Sequence, residues 1–255
     1  MPSGYEAIAV RAAAAAQVFV DDPAQAVLSD DDLHHLARVL RLRAGEEVIA
    51  SDGAGHWART TWPGEGTNAL APLRDGSGLG GDGRVQLEAS AHPSLTVAFA
   101  PTKGERPEWV VQKLTELGLD RIVPLVSERS VVRWDGERGA SAVARLRRVA
   151  REAAAQCRRV WLPEVTEVVH FAELPTLAAA GEVVLAQLSG DRPSRSQRVV
   201  AVGPEGGWSS EELGGGLPTV GFGLSVLRAE TAAVTAGALM VSLRTGTVAA
   251  VGSSA

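Results

Sequence analysis

The chain has 255 residues, enough for one large domain or two small ones with a well-buried core. Hydrophobic residues make up 45% and charged residues 22%, the balance of a soluble globular protein, and a net charge of −5 excludes a polycation that would hold nucleic acid through its overall field. The single cysteine, Cys157, excludes an internal disulfide and a multi-cysteine zinc site, and no run of about 20 apolar residues is available to span a membrane.

Residues 1–17 contain the alanine run Ala12–Ala16 behind Glu6, without a basic leader, so they read as a disordered extension and not as a signal peptide. A cytoplasmic protein is the expectation. Residues 18–90 read as a small β-domain, a barrel by its pattern. Short apolar runs (Val18-Phe19-Val20, Val48-Ile49-Ala50, Val85-Gln86-Leu87) alternate with turn signals such as Asp52-Gly53 and Asp75-Gly76. One helix is expected inside it, from about Asp31 to Leu40, capped by Asp30 or Asp31. Asp75–Gly83, with five glycines, reads as a flexible hairpin loop.

From about residue 91 the period changes. Strands are expected at Leu95–Ala100, Arg121–Val126, Val183–Leu188, Val199–Gly203 and Thr219–Phe222. Between them come a helix opened by Pro107 and stopped by Gly118, a long helix capped by Ser141 and running to Cys157, a short helix begun by Ser209 with Glu212 as its capping-box partner, and a last helix over Glu230–Leu243. Strands alternating with helices make residues 91–255 an α/β domain with a mostly parallel sheet.

Three segments carry candidate chemistry. At 100° per residue the 141–159 helix places Val143, Leu146, Val149, Ala150, Ala153, Ala154 and Cys157 on one face. Arg145, Arg147, Arg148, Arg151, Arg158 and Arg159 fall opposite, as either a solvated face or a phosphate-contacting patch. Gly203-Pro204-Glu205-Gly206-Gly207 follows a strand, where open α/β sheets bind ligands. It lacks GxGxxG spacing, and Ser209-Ser210-Glu211-Glu212 behind it would repel a pyrophosphate. It is either a generic tight turn or the rim of a site for a ligand with a cationic centre. Gly221–Thr231 ends in Arg228 and Glu230, either a surface ion pair with capping or a part of the same site. His34 and His35 have no convergent ligand set, so no metal is expected.

Taken together, these segments resemble a known family. Gly203-Pro204-Glu205-Gly206-Gly207, then Val226-Leu227-Arg228-Ala229-Glu230-Thr231 and a terminal helix, look like the RsmE family of ribosomal RNA uridine-N3 methyltransferases in the SPOUT superfamily. Lys103-Gly104-Glu105-Arg106, Gln112–Gly118, Pro124–Ser130, Glu152–Gln156, His34–Arg41 and Asp52-Gly53 match its other motifs, so the resemblance spans about residues 18–245. Departures fall at Ser225, where arginine is common, at Cys157-Arg158 and at Ala186-Gln187-Leu188.

The resemblance implies a PUA-like barrel followed by an α/β domain with a trefoil knot, and a homodimer with the terminal helix in its interface. Its cofactor is S-adenosylmethionine, carried over here to Leu185, Ala186, Gln187, Leu188, Gly203, Pro204, Glu205, Gly206, Gly207, Phe222, Gly223, Leu224, Val226 and Leu227. Arg228 is the expected stabiliser of charge on the base, and Glu230 or Glu205 the expected proton acceptor. Arg38, Arg41, Arg43, Arg129, Arg145, Arg148 and Arg151 are expected on 16S ribosomal RNA of the small subunit. Three other readings stay open: a degenerate member that binds ribosomal RNA without methylating it, a SPOUT enzyme acting on another RNA, and a nucleotide-dependent enzyme of doubly wound fold.

Overall fold

The computed structural model describes residues 4–179 and 182–249, in two compact units. The first takes the chain up to Ser90 together with Arg151–Leu162; the second takes Ala91–Ala150 and the chain from Pro163.

The first unit opens with α1 (Gly4–Ala13), where the expectation was a disordered extension. The helix is anchored by its own sequence. Arg11 is 2% exposed, pairs with Glu88 at 2.7 Å, donates to the Arg158 carbonyl at 3.1 Å and stacks over the Trp57 ring. Ala7 and Ala14 are buried in the same cluster as Ile49, Trp57 and Val160.

The strands β1 (Ala16–Phe19), β2 (Glu47–Ser51), β3 (His56–Thr61), β4 (Ala71–Pro72) and β5 (Gln86–Leu87) form a five-stranded sheet ordered β1-β2-β3-β4, with β5 on β3. Between β1 and β2 lies α2 (Asp30–His34), continued by a π-helical turn over His35–Val39. Its cap is Ser29, not Asp30 or Asp31: the Ser29 hydroxyl accepts from the Asp32 amide, and all three aspartates fall in the first turn. Asp75–Gly83 is a turn-rich loop joining β4 to β5. The Asp75 carboxylate accepts from the Ser77 amide there, and hydrogen bonding to Ser77 holds its pKa below the usual carboxylate range.

Residues 151–162 return to this sheet. The Leu162 amide donates to Gly53, and the Gly55 amide to Val160. A Cβ on Gly55 would sit 2.6 Å from the Glu88 carbonyl and 2.7 Å from the Trp161 ring, so only glycine admits the crossing strand. Arg158, half-buried at φ +62°, donates to the Ala14, Ala15 and Ala155 carbonyls, and burial pushes its pKa down. Arg158 and Arg159 therefore lie beyond the helix end and are not part of its polar face.

The second unit contains β6 (Thr96–Phe99), α3 (Arg106–Leu117), β7 (Arg121–Val126), α4 (Gly136–Gln156, whose last turns belong to the first unit), β8 (Glu164–Val165), β9 (Val169–His170), β10 (Val183–Asp191), β11 (Val199–Val202), α5 (Ser210–Gly214), β12 (Thr219–Val220) and α6 (Ala229–Thr245). Helix α3 stops at Gly118 in the left-handed conformation, φ +96°. Helix α4 begins five residues before Ser141, because Glu137 and Arg138 continue it and Gly139 lets the first turn lie against the Trp134 carbonyl.

The sheet is parallel, ordered β12-β10-β11-β6-β7-β8 with β9 also on β7. Alternate residues point to opposite faces. Val97, Phe99, Ile122, Val184, Val200, Val202 and Val220 pack with α3, α4 and α6. Ala98, Val123, Leu125, Val183, Leu185, Val199 and Ala201 pack with Leu174 and Trp208 on the other side. Both faces are covered, which is why these strands read as unbroken apolar runs.

Candidate active site

Strands β12, β10 and β11 are neighbours, and the segments at and beyond their carboxyl ends line one cavity of about 400 Å³. Each segment is held by a specific local device. Strand β10 carries a bulge: Ala186 and Asp191 both pair with Val220, so residues 187–190 loop out. Gly190 permits this, because a Cβ there would lie 2.5 Å from the backbone of Val220. The 203–208 segment turns through a Gly207-to-Pro204 backbone bond, with Gly207 at φ +68°. Trp208, 4% exposed, then folds back under Gly203 and donates its indole N–H to the Ala186 carbonyl at 3.0 Å.

Glu212 locks the next turn. It is 6% exposed, and its carboxylate accepts the Ser209 amide at 2.8 Å and the Glu128 amide at 2.9 Å. The charge of Glu212 is thus engaged internally, and of the two acids only Glu211 faces solvent. Arg129 reinforces the loop by donating to the Gly206 carbonyl at 3.1 Å.

Most expected cofactor residues meet here. Ala186, Gln187, Leu188, Gly203, Pro204, Glu205, Gly207, Phe222, Gly223, Val226 and Leu227 line the cavity, with Arg228 at its edge. Three do not. Leu185 is fully buried in the sheet core, since it points to the face opposite Ala186. Gly206 faces Arg129. Leu224 stands entirely in solvent. Sequence reading missed Val202, Trp208, Val220, Ala229 and Ala232, which complete the lining together with Ser225, the departure from the family pattern that falls in the presumed cofactor loop. Trp208, directly behind the glycine turn, carried a signal, as a large aromatic beside a residue with no side chain.

The charged groups separate by role. Arg228 caps the N-terminus of α6 with extended backbone, and its exposed guanidinium has no ion pair or side-chain hydrogen bond among the described residues. Glu230, in the first turn of α6, has a side chain 14% exposed, and its Oε2 is buried with no hydrogen-bond partner among the described residues. Arg106, at the start of α3, reaches both carboxylates: 3.4 Å from Nη1 to Glu205 Oε1 and 3.7 Å from Nε to Glu230 Oε1. Nothing in the spacing of Lys103-Gly104-Glu105-Arg106 pointed to this bridge.

The arginines expected on RNA fall in both units. Arg38 pairs with Glu65 on the surface, Arg145 with Glu108 at 2.5 Å, and Arg151 with Asp32 and the Phe19 carbonyl. Arg148 is exposed on α4. The side chains of Arg41 and Arg43 are exposed and make no ion pair among the described residues, and Arg41 sits at φ +55°.

An apolar, glycine-turned cavity of this size fits a drug-sized ligand. Comparison with known proteins agrees. Residues 90–241 match a family model described as an RNA methyltransferase domain, and residues 28–61 one described as an RNA methyltransferase PUA domain. The chain is 32% identical to the ribosomal RNA small subunit methyltransferase E of Mycobacterium bovis, over 85% of this chain and 86% of that one. It is 26% identical to the Bacillus subtilis protein of the same name, over 80% and 85%. Among solved structures, a Legionella pneumophila protein described as a methyltransferase, with bound S-adenosylmethionine, matches with TM-score 0.72 and 27% identity, over 88% of this chain and 96% of that one. The Neisseria gonorrhoeae ribosomal RNA small subunit methyltransferase E has the same fold, with TM-score 0.73 and 23% identity over 89% and 97%. With its larger domain matched almost throughout and relatives aligned along most of their length, the chain belongs to the ribosomal RNA small subunit methyltransferase E family of RNA methyltransferases.

Proposed function

We propose that this protein methylates N3 of a uridine in the 16S RNA of the small ribosomal subunit, with S-adenosylmethionine as methyl donor. The observation that carries the reading is the cavity at the ends of β12, β10 and β11, with Arg228, unpaired among the described residues, at its edge and, in the first turn of α6 behind the lining, a carboxylate with one buried oxygen. The residues present fit the donor. Gly203 has its one open side closed by Trp208, Phe222 and Leu227 offer apolar surface to an adenosine, and Glu205 at the rim favours a cation.

When bound, the donor supplies a sulfonium methyl group: the N3 lone pair forms the new carbon–nitrogen bond, the carbon–sulfur bond breaks with its electrons staying on sulfur, and the N3 proton leaves to a base. Arg228 stabilises the negative charge that grows on a carbonyl oxygen of the uracil. Glu230 accepts the proton at Oε2. Glu205 is the second choice, being about half exposed and paired with Arg106.

RNA is held in this reading by Arg41 and Arg43 first, since their exposed side chains have no ion pair among the described residues to give up. Arg38, Arg129, Arg145, Arg148 and Arg151 join where exposed pairs of small worth are exchanged for phosphates. The same reading takes the protein as a cytoplasmic homodimer with α6 in the interface. The stripe of Ala233, Ala236 and Gly237 lies against α3 inside the chain, which leaves the half-buried Val234 and Leu239, outside that core cluster, for a partner. The threading of 185–227 is read as a trefoil knot, which the crossed order β12-β10-β11 supports.

The test is small subunits lacking the modification, incubated with protein and donor. N3 lies on the pairing edge of uracil, so reverse transcription should stop at one uridine, and nucleoside analysis should find 3-methyluridine. Arg228→Ala should lower the rate about 100-fold or more. A methyl group on C5 or a ribose oxygen, or no transfer, would overturn the proposal.

A further inference from the structure

Arg106 is a cation of the second unit that touches two carboxylates at once, and those carboxylates come from the two segments that flank the cavity. Glu205 belongs to the turn after β11, and Glu230 to the first turn of α6. The two contacts differ in surroundings. Glu205 and Arg106 are each about half exposed, so their 3.4 Å contact is a surface pair of small worth. Glu230 is largely buried, and the guanidinium meets one of its oxygens, Oε1; the other, Oε2, is shut from solvent without a donor among the described residues. A buried carboxylate oxygen lacking any donor is costly to keep in a folded protein. Here the cost coincides with a function, since a proton acceptor needs an oxygen that no other group already occupies.

The other charged groups on the elements packed against α6 are engaged elsewhere. On α3, Glu108 pairs with Arg145 and Lys113 with Glu116. Strands β6 and β11 carry no ionisable side chain. Arg106 is thus the cation that fixes the Glu230 side chain, and Arg228, at the cavity edge, is left for the base.

We propose that Arg106 is a positioning residue for methyl transfer: by holding Oε1 of Glu230 it aims the unpartnered Oε2 at the proton to be removed from N3. The inference rests on Glu230 being the proton acceptor. The proton passes from N3 to Oε2 as the N3 lone pair takes the methyl group, and the resulting carboxylic acid stays anchored through Oε1. Arginine suits the task because its planar fork spans two carboxylates, which a single ammonium would not do in the same geometry.

A double-mutant cycle tests it, on full-length protein with small subunits as substrate. Arg106→Ala should lower kcat about 10-fold or more, with calorimetric affinity for S-adenosylmethionine within about twofold of wild type, because Arg106 does not line the cavity. Glu230→Gln should lower kcat about 100-fold. The double variant should be no slower than Glu230→Gln alone, since Arg106 acts only through that carboxylate. Arg106→Lys, which keeps the charge and guards against a misfolded alanine variant, should fall between wild type and Arg106→Ala. Losses that multiply in the double variant, or a wild-type kcat for Arg106→Ala beside a slow Glu230→Gln, would overturn the role of Arg106 alone. A wild-type kcat for Glu230→Gln would overturn the proton-acceptor reading, and this inference with it.

Discussion

At the scale of single residues, the site depends on glycines for two different reasons, and the two predict different losses. Gly190 is needed for space: a Cβ would stand 2.5 Å from the Val220 backbone, and backbone cannot rotate away. Gly223 has open space around its absent Cβ but holds φ +133°, where an L side chain is strained. Gly190→Ala must push β12 off β10 and should cost more than about 2 kcal/mol, read as a lower urea midpoint. Gly223→Ala carries only backbone strain of about 1–3 kcal/mol. That strain sits in the cavity wall, so cofactor affinity should fall more than global stability does. Equal stability losses with equal affinity would refute the distinction. The glycine motifs were legible in the sequence as turns. Which glycine answers to space and which to φ was not, because Val220 comes thirty residues after Gly190.

At the scale of elements, the clearest departure from expectation is α1, and its physics is testable. Arg11 is nearly fully buried and meets Glu88, the Arg158 carbonyl and the Trp57 ring together. Breaking a fully buried pair costs about 3–5 kcal/mol. Glu88 is about a third exposed and regains water, so Arg11→Ala should cost about 2 kcal/mol, and Arg11→Lys should recover little, since an ammonium cannot make both contacts. Arg38→Ala, whose pair with Glu65 is exposed on both sides, should cost under about 1 kcal/mol in the same urea titration. If the two alanine variants match, α1 is not docked as described. The sequence hid this element because an alanine run with one arginine has no apolar stripe; the anchor is a cation, and its partners lie 46 to 147 residues away. By contrast, α3 and β7 were readable to within a residue or so at each end. Pro107, Gly118 and an unbroken apolar run are local signals that tertiary contacts did not override. Ser141 misled as a cap because nothing before it stops α4.

At the scale of the whole molecule, charge decides how RNA can be held. A protein of net charge −5 repels a polyanion at long range, so affinity must come from local arginine contacts and should fall steeply with salt. The candidates are unequal. Arg145 and Arg151 would give up internal partners to reach a phosphate, whereas Arg41 and Arg43 would give up only water. Arg41 is also held at φ +55° after a π-helical turn, a conformation that non-glycine residues adopt where the fold imposes it and that recurs at functional sites. If both contact phosphates, the Arg41→Ala, Arg43→Ala double variant loses two neutralised charges. The slope of log K against log salt, from filter binding of a 16S RNA fragment between about 50 and 300 mM potassium chloride, should then fall by about 1.4–1.8. The Arg145→Ala, Arg151→Ala pair should change it by less than about half of that. The affinity lost by the first pair should be large at low salt and small at high salt, because released counterions, not base contacts, supply it. An unchanged slope with unchanged affinity would move the RNA surface off this turn. A slope that falls more for Arg145 and Arg151 would mean that the α4 arginines leave their carboxylates when RNA arrives, and that the face of that helix, not the π-helical turn, is what the ribosomal RNA meets.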